Sequence, residues 1–199
     1  MIAVILLADG HPQSMVKRQA AALQRLLDKR HGVGRAKVLA GMKGEYPSLR
    51  DVFATVSTGS FEEVVALSLT PYYEKDAMET YETAFVEAGI PVTVRFVEHW
   101  HESQRLIQSI VVFVKGLLAN GAEDRSLIFV GEESLDGRQL RETAQKVADY
   151  FPGLRWEFAE RVADGVNALV CRLGAIAEST HPLFIEALAD TVARSGAVL

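Results

Sequence analysis

Pro91-Val-Thr-Val-Arg-Phe-Val97-Glu98-His99-Trp100-His101-Glu102-Ser103 passes from a β-branched, alternating stretch into a polar and aromatic segment, and a strongly apolar run follows from Leu106. Residues 91–97 read as a strand. Ser103 is a helix-capping residue type, and Leu106, Ile107, Ile110, Val111, Val114 and Leu117 cover more than one stripe of the helix after it. A helix that apolar is covered on two sides. If the strand belongs to a parallel sheet, the segment after Val97 sits at its carboxyl end, where open α/β sheets place their ligands. It also holds His99 and His101, two of the five histidines in the chain.

Upstream, the same strand-to-helix alternation recurs. Ile2-Ala-Val-Ile-Leu-Leu-Ala8 is a continuous apolar strand of the kind buried on both faces of a parallel sheet, and Asp9-Gly10-His11-Pro12 turns the chain. Val16, Ala20, Leu23 and Leu27 form one helical stripe, which ends at Arg30-His31-Gly32 with basic residues suited to a helix carboxyl terminus. A second strand is expected at 35–40, with 41–47 as the loop beyond it. Ser48 with Asp51 resembles an N-cap for a helix that turns Leu49, Val52, Phe53 and Val56 inward. A third strand spans 64–69 and ends in Thr70-Pro71-Tyr72-Tyr73, and a helix carrying Met78, Tyr81, Phe85 and Ala88 leads to Gly89.

Downstream, the opening pattern returns. Ser126-Leu-Ile-Phe-Val-Gly131, the acidic turn from Glu132 to Gly137 and a helix through Leu140, Ala144, Val147 and Phe151 repeat the layout of the first thirty residues or so. Weaker strands are read at 154–159 and 167–173. Thr180-His181-Pro182 opens a last helix with Leu183, Phe184, Ala187, Leu188 and Val192 on its inner face. The expected class is α/β: two Rossmann-like lobes with parallel sheets, at 1–102 and 103–199, the last helix packing back on the first lobe. The polar stretch 122–125 marks the passage into the second repeat.

With 199 residues, 49% of them apolar, the chain can bury a substantial core. A net charge of −5 without a basic run argues against nucleic acid as a partner. Neither residues 2–8 nor 107–118, interrupted by Lys115, are long enough for a membrane span, and no basic region precedes the first as in a signal peptide. The single cysteine, Cys171, excludes an internal disulfide and a thiolate metal cluster, which suits a reducing, cytoplasmic setting. No Gly-x-Gly-x-x-Gly follows the first strand and no Gly-Lys-Ser/Thr loop occurs, so nucleotide binding falls behind. Oligomeric state is left open.

Five pieces, in order, resemble the ferrochelatase and sirohydrochlorin-chelatase superfamily. They are Gln19-Ala-Ala-Ala-Leu23, Met42 to Ser48, Thr70-Pro71-Tyr72-Tyr73, Trp100 with Leu106-Ile107-Gln108, and His181-Pro182-Leu-Phe-Ile-Glu-Ala-Leu188. The first four are similar to ferrochelatases and the last to the sirohydrochlorin enzymes. The resemblance implies the type II chelatase fold, two Rossmann-like lobes with a tetrapyrrole cleft between them. It also implies a place in porphyrin or heme biosynthesis, with no permanently bound cofactor and a divalent metal, Fe2+ or Co2+, as substrate. Two positions depart from the family. Ferrochelatases end the strand that opens the second lobe in Phe-Ser-Ala-His, and here it reads Phe129-Val130-Gly131-Glu132. Sirohydrochlorin chelatases end the first strand in Gly-His-Gly, and here it reads Ala8-Asp9-Gly10. The long loop that ferrochelatases insert after the first strand is missing as well.

Metal insertion needs a cleft for the macrocycle, a base for two pyrrole protons and weak ligands that release a divalent ion, and imidazole and carboxylate serve the last two tasks near neutral pH. Asp9, His11, Tyr72, His99, His101, Glu132 and Glu133 all fall at expected carboxyl ends of strands, which share one edge in a parallel sheet. His99 and His101, two apart on extended backbone, face one way and suit a metal or proton site; the plainer reading is a solvated turn. Glu132 and Glu133 could serve as base and ligand where the family has histidine, or simply favour a helix dipole. Trp100 is either a plug between helix and sheet or a stacking platform. His181 is either a cap or part of the site, Tyr72 and Tyr73 line the cleft or lie half-buried, and His31 is structural. The site is therefore expected to use Glu132, His99 and His101 in catalysis and His99, His101 and Glu133 for metal. Asp9, His11, Tyr72, Tyr73, Trp100 and His181 would bind the macrocycle. The expected function is a ferrochelatase-like tetrapyrrole chelatase inserting a divalent metal, Fe2+ first; the alternative is a non-catalytic tetrapyrrole- or metal-binding homologue.

Overall fold

A strand buried on both faces needs apolar side chains pointing both ways, and β1 (Ile2–Ala8) supplies them at all seven positions. The computed structural model describes residues 1–43, 47–72, 75–97, 100–120, 126–131, 135–161, 168–197 and 199. In it β1 lies between β2 (Ala36–Met42) and β3 (Glu63–Ser68), with β4 (Thr93–Val97) beyond β3, all parallel in the order β2-β1-β3-β4. Even-numbered β1 side chains join the cluster that holds Val16, Leu23 and Leu27 of α1 (Gln13–His31). Odd-numbered ones meet Val52, Phe53 and Val56 of α2 (Leu49–Thr58) and Met78, Tyr81 and Phe85 of α3 (Lys75–Glu87). The twofold alternation of a strand thus divides one sequence between two layers of helix.

α2, like the later helices Gly137–Ala148 and Pro182–Arg194, begins where the sequence gives its free amides a side-chain partner. Ser48 accepts a hydrogen bond from the Asp51 amide, and the Asp51 carboxylate accepts one from Ser48 N at 2.9 Å, closing a capping box. The hydrogen bond from the Ser48 hydroxyl is also the main reason the Asp51 carboxyl lies below the usual range. β2 runs two residues past the expected strand, because Gly41 and Met42 continue the ladder opposite Leu7 and Ala8.

The second repeat has the same topology. After α4 (Gln104–Asn120), β5 (Leu127–Val130) sits between β6 (Trp156–Ala159) and β7 (Leu169–Arg172), parallel to both, with α5 (Gly137–Ala148) crossing between β5 and β6. In each sheet the opening strand is central, the next strand lies on one side and the third on the other. The two strands read as weak, at 154–159 and 167–173, are shorter than expected at four residues each. The 122–125 stretch lies outside the described residues. Among the described residues no helix is long and apolar enough to cross a membrane.

A single apolar cluster runs through both repeats, from Leu6 and Leu67 in the first sheet through Ile110 and Val114 of α4 to Phe129 and Cys171 in the second. The last helix, α6 (Pro182–Arg194), packs on α1 and α4. Phe184 puts its ring edge-to-face with Trp100 at 5.4 Å, Gln19 donates to the Ser179 carbonyl at 2.8 Å, and Arg30 pairs with Asp190 at 2.7 Å. The Arg30–Asp190 pair lies toward the surface and adds little stability, whereas Gln19 is itself fully buried and the fully buried Phe184 ring is the apolar anchor. Phe184→Ala is expected to cost about 3–5 kcal/mol, read as a lower urea midpoint with an unchanged slope.

Candidate active site at the strand tips

Each strand of the first sheet delivers polar residues to its carboxyl end. Asp9 follows β1 and its carboxylate pairs with Lys43 Nζ, just past β2, at 3.1 Å, while the Lys43 amide donates to the Ala8 carbonyl at 3.1 Å. Two neighbouring strand tips are thereby tied together. Gly10, at a φ of +68°, takes the backbone through a turn that other residues rarely adopt, and half-buried His11 follows it.

The stretch after β4 is a short 3-10 turn, Trp100–Glu102, that the sequence pattern did not announce. Trp100 is buried, and its Nε1 donates to the Ser68 carbonyl at 2.9 Å, at the end of β3. With Phe184 against its ring, this tryptophan fills the space between sheet and helix as a plug; it is not placed as an open stacking platform. His101 is 6% exposed and Tyr72 only 2%, and their rings stack at 6.2 Å with 28° between planes. Burial and stacking hold this imidazole in one orientation.

Tertiary packing adds partners from the second repeat. One ligand atom each from His101, Glu102 and Glu142 lie within 4.8 Å of one another, and Glu142 comes from the middle of α5. Glu102 also approaches Lys146 at 3.5 Å, and Glu142 pairs with Arg138 at 2.9 Å. Sequence reasoning passed over Glu102 and Glu142. The first looked like one side of a solvated turn, and the second sits on an exposed helix face, where an i,i+4 pair with Arg138 is ordinary. Only the order of the folded elements brings them to His101.

His181 stands apart from this group. Its Nδ1 accepts from the Leu183 amide at 3.3 Å, capping α6, and its own amide donates to the Ser179 hydroxyl at 3.1 Å. It also borders a mainly apolar cavity of about 290 Å³ lined by Val112, Phe113 and Ile176, with Arg172 at the tip of β7. That volume is at the bottom of the range of small-molecule sites. His31 lies in the last turn of α1. Tyr73, His99, Glu132 and Glu133 lie outside the described residues.

Two repeats, each with a parallel sheet whose opening strand is central, are the architecture of the type II chelatases. In the solved structures, the sirohydrochlorin chelatase SirB from Bacillus subtilis subspecies spizizenii, in complex with cobalt, superposes with a TM-score of 0.67 over 98% of this chain and 94% of that one, at 10% identity. Residues 6–131 match the sequence model of the ferrochelatases, and the chain belongs to the ferrochelatase family. It is 25% identical over 168 residues to the coproporphyrin III ferrochelatase of Bacillus mycoides (strain KBAB4), a match covering 73% of this chain. The chain spans about half the length of that relative, 53% of it.

Cys171 has no part in this chemistry. It lies on β7 in the apolar cluster with no exposed surface, and burial pushes its thiol up from 9.0 to about 12. The unfolded chain ionises this thiol near 9 while the folded chain keeps the proton until about 12, so its linkage lowers stability as pH rises through that interval and is absent below it. A thiol-reactive chromophore at pH 8 is therefore expected to modify native protein slowly and urea-unfolded protein at once.

Proposed function

We propose that this chain inserts a divalent metal into a porphyrin-type tetrapyrrole, with Fe2+ the leading ion and Co2+ the next. The observation that carries this reading is the family match over residues 6–131, which runs from the end of β1 through β2, β3, β4 and α4 to the end of β5. In the reaction two pyrrole nitrogens lose protons as they bond to the ion, so the site must accept two protons and give up one metal. His101, at the end of the β4 connection and stacked on Tyr72, is suited to take a proton at neutral pH. In this proposal His99, Glu132 and Glu133 share the proton and metal work, taking over from the family's histidine after Phe129. Asp9, His11, Tyr73 and His181 contribute to the walls for the macrocycle. Tyr72 backs the imidazole, and Trp100 holds the turn that presents it.

The coproporphyrin and sirohydrochlorin relatives differ in macrocycle, and the proposal is accordingly made at the level of the tetrapyrrole class. Purified protein, with Fe2+ (anaerobically), Co2+ or Zn2+ added to coproporphyrin III, protoporphyrin or sirohydrochlorin, is expected to accelerate loss of the free-base spectrum. His101→Asn should slow that rate by about a hundredfold or more. Macrocycle binding without metalation would replace this reading with that of a non-catalytic binder, and neither binding nor metalation would end both.

A further inference from the structure

His101, Glu102 and Glu142 are a mixed nitrogen and oxygen set that joins two elements far apart in sequence. Exposed carboxylates often gather without an ion, but a buried imidazole within 4.8 Å of two of them is a different arrangement. His101 is 6% exposed and held by the Tyr72 ring, so it is a fixed ligand. The side chains of Glu102 and Glu142 are 69% and 41% exposed, so they are adjustable ones.

We propose that His101, Glu102 and Glu142 form a binding site for a divalent transition-metal ion, closed between the turn after β4 and helix α5. Ligand bonds of about 2.0–2.2 Å put the donor atoms around an ion no more than about 4 Å apart. The present spread of up to 4.8 Å closes with small rotations of the two glutamates. Their current partners, Lys146 at 3.5 Å and Arg138 at 2.9 Å, make solvent-exposed pairs of the weak kind that an ion displaces. One imidazole and two carboxylates, with no thiolate, suit Fe2+, Co2+ or Zn2+ over the harder Mg2+, which keeps most of its water.

Three protein ligands also leave coordination positions open, as in sites where the ion reacts or is passed on. In a chelatase such a site would hold the incoming ion ahead of insertion. That use rests on the proposed function; the binding itself does not, because it needs no macrocycle. The site further ties the two repeats together, since an ion held by all three residues resists separation of α5 from the first sheet's edge.

The test is metal binding by the full chain without any tetrapyrrole. Protein stripped with a chelator is titrated with Co2+, followed by its visible absorption bands and by calorimetry, for the native chain and for Glu102→Gln and Glu142→Gln. The native chain is expected to bind one Co2+, and to melt higher with it. Each substitution should weaken binding by about tenfold or more while changing the metal-free melting temperature little, since Glu102 is exposed, Glu142 is half-exposed and their present ion pairs are weak. Absence of saturable Co2+ binding in the native chain would overturn the proposal, as would native affinity in both variants. Co2+ binding that both variants weaken, in protein that never metalates a porphyrin, would keep this site and remove the chelatase reading; metalation with native Co2+ affinity in both variants would do the reverse.

Discussion

The indole of Trp100 is the contact on which the placement of the strand tips depends. It sits where β4 gives way to α4, and it is tied on two sides: by a hydrogen bond to the last carbonyl of β3 and by the Phe184 ring from α6. The indole N–H is buried and would be costly to leave unpaired, so the bond resists any shift of the turn relative to the sheet. His101 is the next residue and inherits that rigidity. The chemistry proposed for the site therefore depends on a side chain that takes no part in it.

The same contact explains why the last helix returns to the first repeat. α6 buries Phe184, Ile185, Leu188 and Val192, and the apolar surface it covers belongs to α1 and α4 as well as to Trp100. Around that seam run polar contacts such as Gln19 to Ser179, Arg30 to Asp190 and Arg105 to Glu186. They set the register of the helix, while the apolar surface supplies the stability. With α4 sandwiched between repeats, one continuous core serves both sheets, and this is the reason α4 needed more than one apolar stripe.

The family histidine missing after Phe129 and the three-residue group at His101 belong to the same question. The family match ends at Gly131, where ferrochelatases continue to that histidine. The described imidazole that approaches carboxylates from two elements lies instead at the tip of β4. A site that relies on the β4 tip relies on a part of the chain inside the ferrochelatase match.

Much of this architecture is legible in the amino-acid sequence. β1 and β5 announce themselves because a strand buried on both faces must be apolar throughout, and the amphipathic helices between strands fix a parallel, repeated architecture by their spacing alone. The chelatase resemblance at Trp100 and Leu106-Ile107-Gln108 followed from residue identity. Short 3-10 turns were not legible, since Trp100–Glu102 and Gly174–Glu178 are too brief for a period to show. Nor were the partners: Asp9 is expected at a strand tip, but its pairing with Lys43 shows only in the fold, and Glu142 reads as a surface carboxylate until α5 lies against the β4 tip. Local pattern determined which residues are strand, helix and tip, because burial acts on each element through its own period. Which tips face one another was decided only by the tertiary structure, because it depends on how the two sheets pack across α4, and no spacing along the chain records that distance.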